Sequence, residues 1–150
     1  MAFTNSNDKL TGRKPAVFPA GPEVVAVRDA VDLVAGDLDA NDAGSVTILP
    51  AGCVPVGLVY DSTDLDTNGT PTIVASVGFI NAGDTDLDGT AWATGITASQ
   101  TGTSVNVALS TAAMSMAATQ TDRKVGVKFT AAAATKAAGQ VGLTLLYRAV

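Results

Sequence analysis

The sequence contains no histidine. This absence removes the side chain that most often acts as a general base near neutral pH, and it removes the commonest imidazole ligand of metal ions. No serine lies in a Gly-x-Ser-x-Gly motif, and no glycine-rich loop of the phosphate-binding type is present. We therefore expect a protein that is not an enzyme, with no catalytic residue and no cofactor apart from the calcium considered below.

Cysteine is almost absent as well. Cys53 is the single cysteine, so the chain cannot form an internal disulfide. It follows Gly52 in a predicted turn, and no histidine is available to deprotonate it, so we interpret it as a small buried hydrophobic residue. A chain of 150 residues is long enough to form one domain whose core needs no cross-link.

Charged and aromatic residues are scarce, at 15% and 5% of the chain, and the net charge is -5. The nine basic residues are scattered, whereas nucleic-acid binding needs clustered Lys and Arg, so we expect no nucleic-acid partner. No apolar run approaches the length of a membrane span, and the first ten residues lack an apolar signal core. A weakly charged surface rich in Ala, Thr, Ser and Gly is typical of a subunit with large contacts.

The clearest periodic pattern lies near the C-terminus. Apolar residues occupy every second position in residues 124–130 and again in residues 141–147, which predicts two strands. The alternation places Val125, Val127 and Phe129 on one face. The alanine-rich connection 131–139 ends at Gly139 and suits a hairpin with a long loop, so the two strands are predicted to pair.

Further strands are predicted upstream, and together they define the fold class. A bulge or bend near Asp29 would reconcile the mixed pattern of the first strand, and Pro55 indicates an edge or a strand start. We predict an all-β antiparallel sandwich or barrel of seven or eight strands, with Greek-key or jelly-roll connections. Residues 90–98 are not assigned, and residues 111–119 form either a short helix or an extended bridge. The predicted upstream strands are residues 23–34, 45–49, 54–60, 72–80 and 105–109, with 54–60 and 72–80 forming a hairpin.

Residues 1–22 differ from the remainder, residues 23–150, which we assign to a single β-domain. Pro15, Pro19 and Pro22 each lack a backbone donor, and the segment has neither helical nor strand periodicity. One interpretation is a frayed terminus. The favoured one is an extended N-terminal arm that orders against a neighbouring subunit, because large aromatic residues are unusual in disordered tails. Its predicted anchors are Phe3, Leu10, Val17 and Phe18, with Arg13 and Lys14 as polar contacts.

Two acidic loops resemble the start of an oxygen-ligand calcium loop, in which alternate carboxylates converge and a glycine permits a sharp turn. The glutamate expected at the twelfth loop position is replaced by Ala75 in one loop and by Gly95 in the other. The alternative is that Asp, Asn and Gly simply form tight turns between strands. The predicted ligands, should calcium or magnesium bind, are Asp64, Asp66, Asn68, Asp84, Asp86 and Asp88.

The order of several short motifs resembles that of small virion structural proteins of tailed bacteriophages, and most of all head decoration (capsid cement) proteins. The resemblance covers nearly the whole chain, and it depends on motif order since each motif is short. The motifs are LTGRKPAV at 10–17, LPAGCVPV at 49–56, NGTPTI at 68–73, VGFIN at 77–81, DR at 122–123, VGV at 125–127 and GLTLLYR at 142–148.

This resemblance implies a β-rich subunit, made in the host cytoplasm, that binds the outer surface of the capsid in the virion. Its partners would be the major capsid protein and copies of itself, as a trimer or a dimer, with an extended terminus clamping neighbouring subunits. The predicted partner-binding residues are Phe3, Leu10, Arg13, Lys14, Val17, Phe18, Arg123 and Arg148. For the charge cluster at 122–124, the alternative is a solvated strand end.

A phage tail protein or a β-module that binds carbohydrate or a host surface, with or without calcium, is the alternative function. Such a module needs exposed aromatic platforms near the acidic loops. Trp92 and Tyr60 are the residues available for that role.

Overall fold

The chain folds into eight β-strands, and a computed structural model describes all residues from 1 to 150. The only α-helix, α1, has four residues, Thr111–Met114, and no helix has the length and apolar character that crossing a membrane requires. Single 3-10 turns occur at Ala35–Asp37 and Ala98–Gln100. The strands are β1 (Val24–Leu33), β2 (Ala43–Leu49), β3 (Cys53–Ser62), β4 (Val74–Phe79), β5 (Ala93–Ile96), β6 (Ser104–Val107), β7 (Arg123–Ala131) and β8 (Gly139–Ala149).

The strands form two four-stranded antiparallel sheets that face each other. One sheet has the order β1-β8-β3-β6 and the other β2-β7-β4-β5. The pairs β1–β8, β2–β7, β3–β6 and β4–β5 are nested, as if one long hairpin had been rolled up. The predicted all-β antiparallel sandwich with eight strands is confirmed.

Both predicted hairpins are wrong. β7 pairs with β2 and β4, whereas β8 pairs with β1 and β3, so the connection 131–139 crosses from one sheet to the other. β3 and β4 likewise belong to different sheets. Alternation reveals that a segment is a half-buried strand, but it carries no information about which strand lies beside it.

The core consists of the inward faces of the two sheets. Val125, Val127 and Phe129 of β7 are fully buried on one side, as the alternation predicts. Val141, Leu143, Leu145 and Tyr147 of β8 are fully buried on the other. Because β7 and β8 lie inside their sheets rather than at an edge, their inward rows form the centre of the core.

The first strand has no bulge at Asp29. β1 and β8 pair over ten consecutive residues without a register shift, which excludes the bulge. Asp29 occupies a regular inward position in the row of Val27 and Val31. A register shift does occur in β3 beside Pro55, where a residue without an N–H donor is tolerated.

The two segments that the sequence left open, residues 90–98 and 111–119, contain β5 and α1 respectively. Trp92 is buried directly before β5 and lies edge-on to Phe79, with ring centroids 4.8 Å apart. Ser110 caps α1 by accepting a hydrogen bond from the Ala113 N–H at 3.3 Å.

Cys53 is buried, as predicted, and burial raises the pKa of its thiol.

Asp66 joins two loops at the end of the sandwich where β7 ends and β8 begins. Its carboxylate accepts hydrogen bonds from the N–H groups of Thr72, Ile73, Ala134 and Thr135 at 2.7, 3.2, 2.9 and 2.8 Å. Burial opposes ionisation of Asp66, but these four donors outweigh it and lower its pKa to about 2. The Asp66 carboxylate therefore holds the loop before β4 and the loop after β7 together.

Replacing Asp66 with Ala should lower the free energy of unfolding by about 3 kcal/mol, because four N–H groups lose a charged acceptor. Asp66→Asn should cost less, since one acceptor oxygen remains. The folded-state pKa is depressed, so the advantage of wild type over Asp66→Asn is present above about pH 4 and is lost as the pH falls through about 2.

Urea unfolding across this pH range tests the prediction. Asp88→Ala is the control, because Asp88 is exposed and bonds to Phe79 through its backbone N–H and not through its side chain. Equal stability of Asp66→Ala and wild type at pH 7 would contradict it.

Candidate functional site

The first ten residues, called here the N-terminal segment, lie in the opening between the edge strands β1 and β2. Ala2 forms a parallel bridge with Ala43 at the start of β2. The Phe3 N–H donates to the Ala43 carbonyl, and the Ala43 N–H donates to the Met1 carbonyl, both at 3.0 Å. These residues therefore pack on their own domain, and an arm extended away from it is not seen here.

Asn7 connects the two sheets across this opening. Its side-chain amide donates to the Ala30 carbonyl of β1 at 3.2 Å and to the Val46 carbonyl of β2 at 2.7 Å. Its side-chain oxygen accepts from the Leu10 N–H at 3.0 Å. One side chain thus satisfies backbone groups of both edges and turns the segment.

Lys9 and Asp29 form a buried ion pair in the same opening. Lys9 Nζ lies 2.7 Å from the Asp29 carboxylate, and the two side chains are 1% and 6% exposed. The Thr47 hydroxyl of β2 donates to the same carboxylate oxygen at 2.6 Å. The N-terminal segment therefore supplies the cation that a carboxylate in the inward row of β1 requires.

Phe3 and Leu10, two of the predicted arm anchors, pack on the core of their own chain. The Phe3 and Phe129 ring centroids are 5.8 Å apart. A side chain at Gly44 would overlap the Phe3 ring, so glycine is needed where the segment crosses β2. Leu10 is half-buried against the same core. In the structure both residues contact the core of their own chain. Partner binding by Phe3 or Leu10 stays a prediction.

The remaining arm residues are displayed at the surface. Val17 and Phe18 are 45% and 58% exposed. The Tyr147 hydroxyl donates to the Val17 carbonyl at 2.5 Å, and burial raises the pKa of Tyr147 to about 12. Arg13 and Lys14 are exposed, and the only ion pair of the two, between Arg13 and Asp8 at 3.7 Å, is itself exposed. These four residues are therefore more accessible to a partner than the N-terminal segment is.

The charge cluster at 122–124 is used within the chain. The Asp122 carboxylate accepts from the Ala51 N–H at 2.8 Å, and Lys124 pairs with Asp84 at 2.7 Å. The Arg123 guanidinium stacks on the Phe79 ring at 4.3 Å, and burial lowers its pKa. Its Nε and Nη2 atoms are buried without an acceptor.

Arg148 differs from that cluster because it is exposed and belongs to no ion pair. Its one hydrogen bond is a long one, at 3.4 Å, to the carbonyl of the next residue. Of the two predicted arginines, Arg148 is thus the one free to contact a partner.

The six predicted calcium ligands do not converge. Asp66 is occupied by backbone donors from the loops beyond the end of β7, whereas Asp84 pairs with Lys124 at the start of β7. Asp86 pairs with Lys128 at 2.7 Å, and this hydrogen bond lowers its pKa. No group of three or more Asp, Glu, His or Cys side chains is placed to hold a metal ion. Calcium binding, including by Asp64, Asn68 and Asp88, stays a prediction without a formed site.

The aromatic residues that a carbohydrate platform would need are both in the core. Trp92 is 2% exposed and Tyr60 is fully buried. The Tyr60 hydroxyl is bonded to the buried Ser99 hydroxyl at 2.6 Å. Neither residue therefore forms the exposed aromatic platform that the carbohydrate-binding alternative needs.

Two solved structures of phage capsids contain chains similar to this one over nearly their whole length. A chain in the structure "Capsid of Ralstonia phage GP4" is 30% identical, with a TM-score of 0.80, and the match covers 95% of this chain and 96% of that chain. A chain in "Cyanophage Pam1 capsid asymmetric unit" is 28% identical, with a TM-score of 0.67 and coverages of 91% and 92%. No protein-family model and no curated protein sequence matches.

The fold and these matches define a structural protein of a bacteriophage virion. The chain belongs to the family of phage capsid proteins that includes the matching chain of Ralstonia phage GP4.

Lys9, Asn7 and Asp29 were not among the predicted site residues. The available signal was Asp29 itself, because it falls in phase with Val25, Val27 and Val31 in a regular alternation. A carboxylate in an inward row must either leave the row, for example through a bulge, or stay in it with a cation as partner. The second outcome is the one observed for Asp29. That the cation is Lys9 depends on the tertiary fold.

Lys9→Met should lower the free energy of unfolding by about 3–5 kcal/mol, because it leaves the Asp29 carboxylate buried without a counterion. The double variant K9M/D29V should be more stable than Lys9→Met, since valine continues the apolar row of β1. Urea unfolding measures both. Lys14→Met removes an exposed, unpaired cation nearby and serves as control. A Lys9→Met variant as stable as this control would contradict the ion pair.

EDTA should leave the Tm unchanged, because the Asp66 oxygens accept backbone N–H groups and the Asp84 and Asp86 carboxylates pair with lysines. Thermal melts with EDTA and with added Ca²⁺ provide the measurement. A clear rise of Tm with Ca²⁺ that Asp86→Asn removes would instead support a calcium site.

Proposed function

We propose that this protein decorates the outer surface of a phage capsid and stabilises it by bridging major capsid protein subunits. The observation that carries the proposal is the end-to-end match to a chain of a phage capsid structure. The motif order that resembles cement proteins supports the same role. A subunit repeated over a lattice can stabilise a shell through many weak contacts, because each bound copy raises the effective concentration for the next contact.

The nested strand pairs support the predicted jelly-roll connections. In this proposal the sandwich is a rigid platform, and the N-terminal segment is part of it. Contacts with the major capsid protein then fall to the exposed residues nearby, and oligomers, trimeric or dimeric, arise from the weakly charged surface. Synthesis in the host cytoplasm and attachment to the finished shell belong to the same proposal.

Basic side chains that have no carboxylate partner within the chain would supply the electrostatic attraction in the proposed capsid contact. Six basic side chains pair with carboxylates of the same chain. Lys14 and Arg148 are exposed and pair with none. On a protein with a net charge of -5, two such cations would bind acidic groups of a partner, and salt would weaken the contact.

The test uses purified protein and capsids of the source phage assembled without it. Wild type should bind and raise the temperature at which the capsid breaks open. Arg148→Glu and Lys14→Glu should each weaken binding about tenfold or more at low salt, a loss of about 1.4 kcal/mol. Both should unfold like wild type, because Lys14 pairs with no carboxylate and the one hydrogen bond of Arg148, to the Ala149 carbonyl, is long and exposed.

Lys136→Glu is the matched control. It makes the same change in net charge at the opposite end of the sandwich, where Lys136 pairs with Asp39 at 2.6 Å. Equal weakening by Lys136→Glu would show only a general charge effect. Failure of wild type to bind these capsids would overturn the proposed function.

A further inference from the structure

Asn68 is the only asparagine of this chain that is followed by glycine. The pair lies in the exposed bend formed by residues 68–70, within the loop between β3 and β4. The acidic residues of this loop form no metal site. Neither the fold nor the proposed function therefore accounts for an asparagine and a glycine side by side at this position.

The backbone nitrogen of Gly69 is accessible and unengaged. Its N–H donates no hydrogen bond, although the N–H groups of Thr67 and Thr70 on either side both donate one. A Cβ atom at Gly69 would meet nothing within 4 Å, so no neighbouring group stands between this nitrogen and the side chain of Asn68. Glycine also gives the bend the backbone freedom that a close approach of the two requires.

The side chain of Asn68 is turned toward the chain that follows it. Its Oδ1 atom accepts a hydrogen bond from the Thr70 N–H at 2.9 Å, which closes a turn around Gly69. When a nucleophile adds to the side-chain carbonyl carbon, negative charge develops on Oδ1. The Thr70 N–H already points at this oxygen and would stabilise that charge.

We propose that Asn68 is a site of slow, non-enzymatic deamidation, with water as the co-reactant. The Gly69 nitrogen loses its proton to the solvent and adds to Asn68 Cγ. The Cγ–Nδ2 bond breaks, Nδ2 leaves as ammonia, and a cyclic imide remains. Water opens the imide at either of its carbonyls, which gives aspartate or isoaspartate at position 68. One amide and one water become one carboxylate and one ammonium ion, so the chain gains a negative charge.

The other five asparagines are placed less favourably. Each of them is followed by a residue whose side chain crowds the attacking nitrogen. Asn7 is half-buried and would also have to release the carbonyls of Ala30 and Val46. Asn106 lies within β6 and precedes the β-branched Val107. Modification should therefore concentrate at Asn68.

Deamidation would change the contact between the two loops that Asp66 holds together. The Asn68 amide donates to the Thr135 hydroxyl at 3.0 Å, and a carboxylate cannot donate this hydrogen bond. Isoaspartate also lengthens the backbone by one methylene, which displaces the Thr70 N–H. Thr135 precedes Lys136, at the end of the sandwich opposite Arg148. The aged protein should therefore be less stable, whereas its capsid binding should not change.

Peptide mapping by mass spectrometry tests the proposal on folded protein incubated at mildly alkaline pH, well below its Tm. The peptide that contains Asn68 should gain about 1 Da with time, and methyltransferase labelling should detect isoaspartate in it. The other asparagines should react roughly tenfold more slowly or less. Gly69→Ala is the matched variant, because the space around Gly69 accepts a methyl group. It should keep the Tm of wild type and slow the reaction roughly tenfold.

Asn68→Gln is a second variant and should remove the reaction, because its longer side chain would have to close a six-membered ring. The chain unfolded in urea serves as the reference for an unprotected Asn-Gly pair. Reaction at position 68 in urea but not in the folded protein would overturn the proposal, because the fold would then protect Asn68. Equal rates in wild type and Gly69→Ala, or faster reaction at another asparagine, would overturn it as well. Failure of fresh wild type to bind capsids contradicts the proposed function and leaves this inference intact.

Discussion

The buried ion pair between Lys9 and Asp29 is the constraint on which the arrangement of this protein depends. β1 places a carboxylate in the inward row of a sandwich that has no other charge there to neutralise it. The cation arrives from the N-terminal segment, so the strand and the segment must fold together. Asn7 reinforces the contact by bonding to backbone carbonyls of both sheets. What looks like an arm in the sequence is, over its first ten residues, part of the domain.

Because of this constraint, the surface has regions that differ in how accessible they are to a partner. The β1–β2 side is closed by the N-terminal segment of the chain itself. Lys14, Val17, Phe18 and Arg148 lie just beyond the closed region and are exposed. The β5–β6 side is open and uncharged. The proposed role, contact with a shell and with other copies, needs more than one exposed surface, and these two regions lie at separate places.

The sequence predicted the strands well and their partners poorly. Strict alternation identified β7 and β8, because a half-buried strand requires it, but the same pattern suits any neighbour, so both hairpins were misassigned. Asp29 was explained by a bulge because its counterion lies 20 residues away along the chain. Asp66 appeared as a calcium ligand because Asp in a turn looks the same whether it binds a cation or backbone N–H groups. Those distinctions depend on long-range contacts that local patterns do not contain.

Cryo-electron microscopy of the virion tests most directly whether this sandwich decorates the outside of a capsid. Decoration predicts density for an eight-stranded sandwich projecting above the shell, with the start of β1, the end of β8 and residues 15–22 turned toward neighbouring subunits. Density for this chain within the continuous shell, or only in the tail, would contradict it.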